Sequence, residues 1–167
     1  MADRDQMRPK RNAGQGVDAF IADVDRCAKE VCHAGRDVNT FVEWISEDYA
    51  FVRPQDLRQP RKFYRQISSA PPVRFGIKGF RDSLVDDEQP ARHYTAFVFI
   101  GFWLPTFFAM IFLYAWEVLG LIRYRDWSQK DVRLGIVGIR HGRAVRWEGP
   151  DVLAPLITRD LKAQRQC

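Results

Sequence analysis

The longest apolar block of the chain runs from Tyr94 to Trp116 and contains no formally charged residue in 23 positions. Wound as a helix at about 1.5 Å per residue, it would rise roughly 34 Å, which suits the roughly 30 Å hydrocarbon core of a bilayer. Apolar side chains fall on every side of this helix, whereas the surface helix of a soluble domain shows charge on one side. The pattern therefore predicts a lipid-embedded segment.

Pro105 interrupts the block and leaves three arrangements open. It can kink a single spanning helix, which membranes tolerate, or separate two helices over 90–104 and 106–122. Two helices would form either a re-entrant membrane hairpin or the buried core hairpin of a soluble domain. Because the rest of the chain is charged and broken by prolines, we expect it to be poorly suited to enclosing the block, which favours lipid.

Aromatic and basic residues mark both ends of the block. Tyr94 stands at one end and Tyr114 with Trp116 at the other, where amphipathic rings favour the membrane interface. Long basic side chains outside the block can reach lipid phosphates while their stems stay in apolar surroundings. The residues predicted to bind an anionic headgroup or phosphate are Arg81, Arg92, Arg123 and Arg125.

Amphipathic helices are predicted on both sides of the block. The first has a stripe of apolar residues at helical spacing, which is the best candidate for a partner or self-packing surface: Val17, Phe20, Ile21, Val24, Ala28 and Val31. Thr40 with Glu43 fits a capping box and predicts a second helix after Thr40. Ser128 with Asp131 predicts another helix start, and a last short helix is expected over about 152–162.

Three glycines occur in the helix that follows Ser128, at Gly135, Gly138 and Gly142. Each weakens an exposed helix by on the order of 1 kcal/mol. A missing side chain also lets another helix approach closely, and Gly135 and Gly138 are the best candidates for such packing.

The fold class predicted from these patterns is mainly α. One long hydrophobic segment, transmembrane or re-entrant, is kinked or broken at Pro105 and flanked by amphipathic helices. Four regions are expected along the chain: a disordered tail over 1–16, a polar helical region with a proline-rich connector over 17–92, a hydrophobic membrane segment over 93–122 and a basic helical region over 123–167. The tail is charged and lacks periodicity, which is typical of disorder.

The net charge of +5 favours anionic partners, either nucleic acid or acidic lipid headgroups. The densest basic run holds only four charges, at Arg58, Arg61, Lys62 and Arg65. A solvated face explains that run, so nucleic acid is not an expected partner. Lipid headgroups are therefore the preferred anionic partner.

No standard catalytic motif is present, and neither a cofactor nor a metal ion is expected. Cys27, Cys32 and His33 lie close together, but their spacing matches no standard zinc pattern. With Cys167 the cysteines number three, which argues against a disulfide framework and for a reducing compartment.

One loose constellation of residues could carry chemistry, made of His93, Glu117, Asp131 and His141. If the block folds as a hairpin at Pro105, His93 and Glu117 come to the same end. An imidazole and a carboxylate placed there can share a proton. Three of these residues also have a structural explanation at a helix end or at the membrane interface, namely His93, Glu117 and Asp131.

Two functions follow from these observations. The first is a small membrane-anchored helical protein with a binding, accessory or assembly role, whose partners are the bilayer and a protein subunit or a second copy of the chain. The alternative is a soluble or peripheral helical hydrolase or toxin-like domain that uses the constellation, with the apolar hairpin as its core. The N-terminus lacks the apolar core of a secretory signal, so we expect a membrane location with the N-terminal region in the cytoplasm.

Overall fold

The computed structural model describes residues 14–54, 59, 74–124 and 127–164, with residues 123 and 124 described by their backbone only. The helices, numbered in chain order, are α1 (Gly16–His33), α2 (Val38–Ile45), α3 (Pro90–Trp103), α4 (Thr106–Tyr124), α5 (Gln129–Glu148) and α6 (Leu153–Asp160). A π-helix over Ser46–Ala50 continues α2, and 3-10 turns occur at Asp82–Leu84 and Pro150–Val152. The described part of the chain is mainly helical, as predicted, and has no β-strand. Most of the predicted tail, up to residue 13, lies outside it.

Side-chain caps set where two of these helices begin. Ser128 accepts a hydrogen bond from the backbone N–H of Asp131 at 3.0 Å, so the predicted start of α5 is confirmed. The predicted capping box at Thr40 is wrong, because α2 begins at Val38. The carboxylate of Asp37 caps that helix by accepting from the backbone N–H of Thr40 at 2.9 Å.

Pro105 separates the apolar block into two helices, which is one of the arrangements that the sequence leaves open. Leu104 has an extended backbone (φ −105°, ψ 145°), the conformation that a following proline favours, so α3 ends at Trp103. Helix α4 then begins at Thr106. Both helices are apolar, but they have different neighbours, and this difference decides which of them is exposed.

Helix α3 lies at the centre of the fold and packs in parallel along α5. Gly138 of α5 lies against the carbonyl group of Tyr94, and Gly142, one turn later, lies against that of Val98. A Cβ atom at Gly138 would stand 2.8 Å from the Tyr94 carbonyl oxygen, so only glycine lets the two backbones come this close. The close packing predicted for Gly138 is confirmed.

The expectation that this chain cannot enclose the apolar block is wrong for α3. All of residues 94–102 are buried, and Tyr94, Phe99 and Ile100 are fully so. The glycine-bearing side of α5 covers one side of α3, and α2 with its π-helix covers another. Since these neighbours stand where lipid was expected, the interpretation of Tyr94 as an interface residue is also wrong.

The apolar stripe of α1 is used inside the fold. Five of its members are buried, namely Val17, Phe20, Val24, Ala28 and Val31, and α1 packs against α2 and α6. The Phe20 ring lies in an aromatic cluster, with its centroid 5.2 Å from that of Phe75 and 6.0 Å from that of Tyr94. The apolar stripe of α1, predicted as a surface for a partner or for self-packing, is therefore buried against other helices of the same chain.

Helix α4 lies at the edge of the fold and runs antiparallel to α5. Arg143, late in α5, donates from Nη1 to the hydroxyl of Thr106 at the start of α4, at 2.7 Å. Leu113, in the middle of α4, packs at Gly135 in the first half of α5. The main neighbours of α4 are α5 and, to a smaller extent, α3. Large side chains on the other side of α4 are exposed.

Candidate functional site

One side of α4 carries large apolar side chains that face solvent. These residues, here called the outer face of α4, are each 42–74% exposed: Phe107, Phe108, Ile111, Tyr114, Val118, Leu119, Leu121 and Ile122. They recur at helical spacing along one side of the helix. The opposite side carries Ala109, Leu113 and Glu117, which are buried.

Among the side chains of α4 that the structure describes, no charged one interrupts the outer face. The carboxylate of α4, on Glu117, is on the inner side of the helix and only 6% exposed. In α4 the carboxylate faces inward and the apolar residues face outward, which is the reverse of the usual surface helix. Eight large apolar side chains exposed to this degree present on the order of 700 Å² of apolar surface, above the roughly 300–600 Å² of the largest patch on a typical monomer. Patches of this size mark contacts with proteins or membranes.

The predicted spanning segment is divided between a buried helix and an exposed one. Residues 94–103 belong to α3, and residues 106–116 belong to α4. Among the residues that the structure describes, no helix has both the length and the hydropathy of a membrane span.

The four residues of the predicted constellation separate into two groups. His93 lies beside the start of α5, where its Nε2 is 3.0 Å from the backbone carbonyl oxygen of Asp131. Glu117 lies one turn beyond Leu113, toward that same end of α5, because α4 and α5 are antiparallel. His93, Asp131 and Glu117 therefore lie toward the same end of the fold. His141 lies nearly three turns further along α5 and is bound by other partners.

A buried chain of hydrogen bonds holds His141 between two helices. The hydroxyl of Tyr94 on α3 donates to Nδ1 of His141 at 2.7 Å. Nε2 of His141 in turn donates to Oδ2 of Asp160 on α6 at 2.9 Å. Since a carboxylate only accepts, this network assigns the imidazole proton to Nε2. The hydrogen bond from Arg159 holds the pKa of the Asp160 carboxyl well below its usual range.

This chain of hydrogen bonds fastens α3, α5 and α6 together. Tyr94 and His141 are buried, so a substrate has no access to the imidazole, and both ring nitrogens are already bound. Sequence reasoning missed Tyr94 and Asp160 as partners of His141. They lie 47 and 19 residues away from it, and no spacing rule connects residues on three separate helices.

Lowering the pH below about 6.5 is expected to destabilise the protein through His141. Burial lowers the pKa of His141 in the fold below the value near 6.5 that it has in an unfolded chain. Below that pH the unfolded chain takes up a proton that the folded chain does not. The free energy of unfolding therefore falls, by up to about 1.4 kcal/mol per pH unit, until the folded pKa is reached. The lowered pKa of Asp160 adds a further loss only below about pH 4.

Urea unfolding at a series of pH values between about 7.5 and 5 measures this slope. The variant His141→Gln is expected to be less stable at neutral pH but to have a shallower slope, because the titrating group is gone. A slope that is unchanged in the variant would assign the pH dependence to other groups.

The arginines predicted to bind headgroups have different surroundings. Arg81 donates from Nε to the backbone carbonyl oxygen of Lys162 at 3.0 Å and from Nη2 to that of Arg159. These two hydrogen bonds hold the end of α6. Arg92 is half-buried on α3, and burial lowers the pKa of its guanidinium. The side chain of Arg123 and all of Arg125 lie outside the described residues. A role in headgroup binding stays a prediction for all four.

The cysteines of α1 have different environments. Cys27 is buried, and burial raises the pKa of its thiol to about 12. Cys32 is exposed, with Sγ 3.8 Å from a carboxylate oxygen of Asp151. The described ranges contain no group of three or more histidine, cysteine, aspartate or glutamate residues that could hold a metal ion.

No family model matches this sequence, and no curated protein or solved structure matches the chain. The class of protein therefore follows from the chain's own residues. They define a mainly helical protein in which one helix turns a continuous apolar side outward.

Proposed function

We propose that this chain is a membrane-associated helical binding protein, which attaches to a lipid bilayer through the outer face of α4. The observation that carries the proposal is the outward row of eight large apolar side chains with no charge among them. In this arrangement α4 lies in the interface with its outer face among the acyl chains, and the rest of the fold stays on the polar side. The role that fits is an accessory or assembly subunit that presents its polar helices to a protein partner.

The size and position of the outer face support this proposal. At about 25 cal/mol per Å², removing about 700 Å² of apolar surface from water gives about 18 kcal/mol before the costs of association are subtracted. Helix α4 is at the edge of the fold, so a flat lipid surface can reach its outer face without a change of structure.

Binding to vesicles of phosphatidylcholine tests the proposal. We expect the wild-type protein to sediment with the vesicles and Ile111→Asp to lower the bound-to-free ratio at least about tenfold, because a carboxylate in the apolar region is costly. Ile111 is 50% exposed in the middle of the outer face, so its replacement should leave the fold intact. Far-UV circular dichroism checks that the variant is folded.

Ile77→Asp is the matched control, because Ile77 is a 55% exposed isoleucine that lies outside α4. We expect it to bind vesicles like the wild-type protein. Equal losses in the two variants, or no binding by the wild-type protein, would contradict the proposal. A dimer that forms without lipid and is dissociated by Ile111→Asp would instead assign the outer face to a second copy of the chain.

A further inference from the structure

One edge of α5, which meets α4 at Arg143, carries positive charge. Arg133, Arg140 and Arg143, here called the arginine edge, are spaced by seven and three residues, which places them along one side of the helix. All three are exposed. Between residues 132 and 147, α5 contains four arginines and no acidic residue.

The contacts of α5 show where the arginine edge lies. Arg143 hydrogen-bonds Thr106, the first residue of α4, next to Phe107, which is 71% exposed. Arg140 is two residues from Gly138 and from Gly142, which face α3, so it points away from α3. The arginine edge therefore lies on a side of α5 that faces away from α3, and it meets α4 at Arg143.

Exposed tryptophans lie near both ends of α5. Trp147 near the end of α5 is 73% exposed, and Trp127 just before α5 is 41% exposed. Because α4 and α5 are antiparallel, Trp147 lies toward the start of α4 and Trp127 toward its end. Indole rings favour the level of the headgroups in a bilayer, which is where the arginines would also stand.

We propose that the arginine edge binds the phosphates of anionic lipid headgroups while the outer face of α4 enters the acyl region. This inference rests on the proposed function and adds the class of lipid that is recognised. A guanidinium group forms paired hydrogen bonds with a phosphate. Seven residues of helix correspond to about 10 Å, so Arg133 and Arg140 reach different headgroups. A row of separated arginines beside an apolar surface fits a charged bilayer better than a single phosphate ion.

Vesicles of two compositions distinguish this inference from the proposed function. One is phosphatidylcholine alone, and the other is phosphatidylcholine mixed with phosphatidylglycerol. At low ionic strength we expect the wild-type protein to bind the mixed vesicles at least about 25-fold more tightly, at roughly fivefold for each arginine that meets an anionic headgroup. High salt should remove most of this difference, because it screens charges at the surface.

The double variant Arg133→Gln/Arg140→Gln should lose roughly 25-fold in affinity for the mixed vesicles, at roughly fivefold per arginine, and keep the wild-type affinity for neutral ones. Lys29→Gln/Lys78→Gln is the matched control, because it removes the same charge from exposed residues of α1 and of the loop before Asp82. Its affinity for either composition should change by less than about twofold.

Equal wild-type affinity for the two compositions would overturn this inference and leave the proposed function standing. Absence of binding to both would overturn the two together. If the lysine control loses as much affinity as the arginine variant, net charge rather than the arginine edge is responsible. If millimolar inorganic phosphate removes the preference at constant ionic strength, the arginines form a site for a free anion instead.

Discussion

Asp23→Ala is expected to lower the free energy of unfolding by about 3 kcal/mol, because it removes the shared acceptor of a buried polar cluster. The Asp23 carboxylate is 1% exposed, pairs with Arg26 and accepts a hydrogen bond from the hydroxyl of Tyr49 at 2.8 Å. Arg74 approaches the same carboxylate at 3.5 Å. Burial raises the pKa of Tyr49, so its hydroxyl stays protonated and requires an acceptor. Urea unfolding followed by circular dichroism measures the loss.

Asp25→Ala is the control for this prediction, since Asp25 lies on the same helix and also pairs with a cation, Lys29, at 2.6 Å. The side chains of Asp25 and Lys29 are both exposed, and exposed ion pairs of this kind contribute about 0.5 kcal/mol or less to stability. Similar losses in the two variants would show that burial of the Asp23 carboxylate is not the cause.

Gly142→Ala is expected to cost about 3 kcal/mol of stability, at the upper end of the range for overpacked cores. A Cβ atom at Gly142 would overlap the carbonyl oxygen of Val98 and stand 2.8 Å from the backbone nitrogen of Phe102. Backbone atoms in the middle of α3 have no rotamer through which to move aside. The two helices must therefore separate, and thermal or urea unfolding should show the loss.

Gly135→Ala is the matched control, in the same helix and two turns earlier. The added Cβ atom would meet the end of the Leu113 side chain, which can turn away, rather than a backbone. Alanine also improves helix propensity by about 1 kcal/mol, so the net change should be within about 1 kcal/mol. If Gly135→Ala is as damaging as Gly142→Ala, the close approach of the α3 and α5 backbones is not the source of the effect.

Local signals in the sequence predicted several element boundaries, because their physical causes are themselves local. The hydroxyl of a serine can cap a helix by accepting from the backbone N–H three residues later, as Ser128 does for α5. Pro105 ends a helix through its own ring and missing N–H. Thr40 shows the limit of such signals, since Asp37, three residues earlier, offers the same acceptor chemistry and takes the cap.

The candidate site could be predicted only in part. The sequence showed that the residues of the outer face are apolar, but the pattern did not show that they would be exposed in a folded domain. The partners of His141 were not predictable either, because Tyr94 and Asp160 meet it only once three helices are packed. The sequence also did not indicate the arginine edge as a candidate binding surface, because that role depends on the exposed apolar helix α4 that packs against α5.

By itself the sequence determined that the chain is helical, that the apolar block is interrupted at Pro105 and that α5 can accept a close neighbour at its glycines. Tertiary structure alone decided which half of the block is covered. The two halves have similar hydropathy, but only the backbone of α3 lies against Gly138 and Gly142 of α5. This close approach lets neighbouring elements bury α3 along its whole apolar length. Helix α4 is covered on one side only, because the chain has no further helix packed on its outer face in the part that is described.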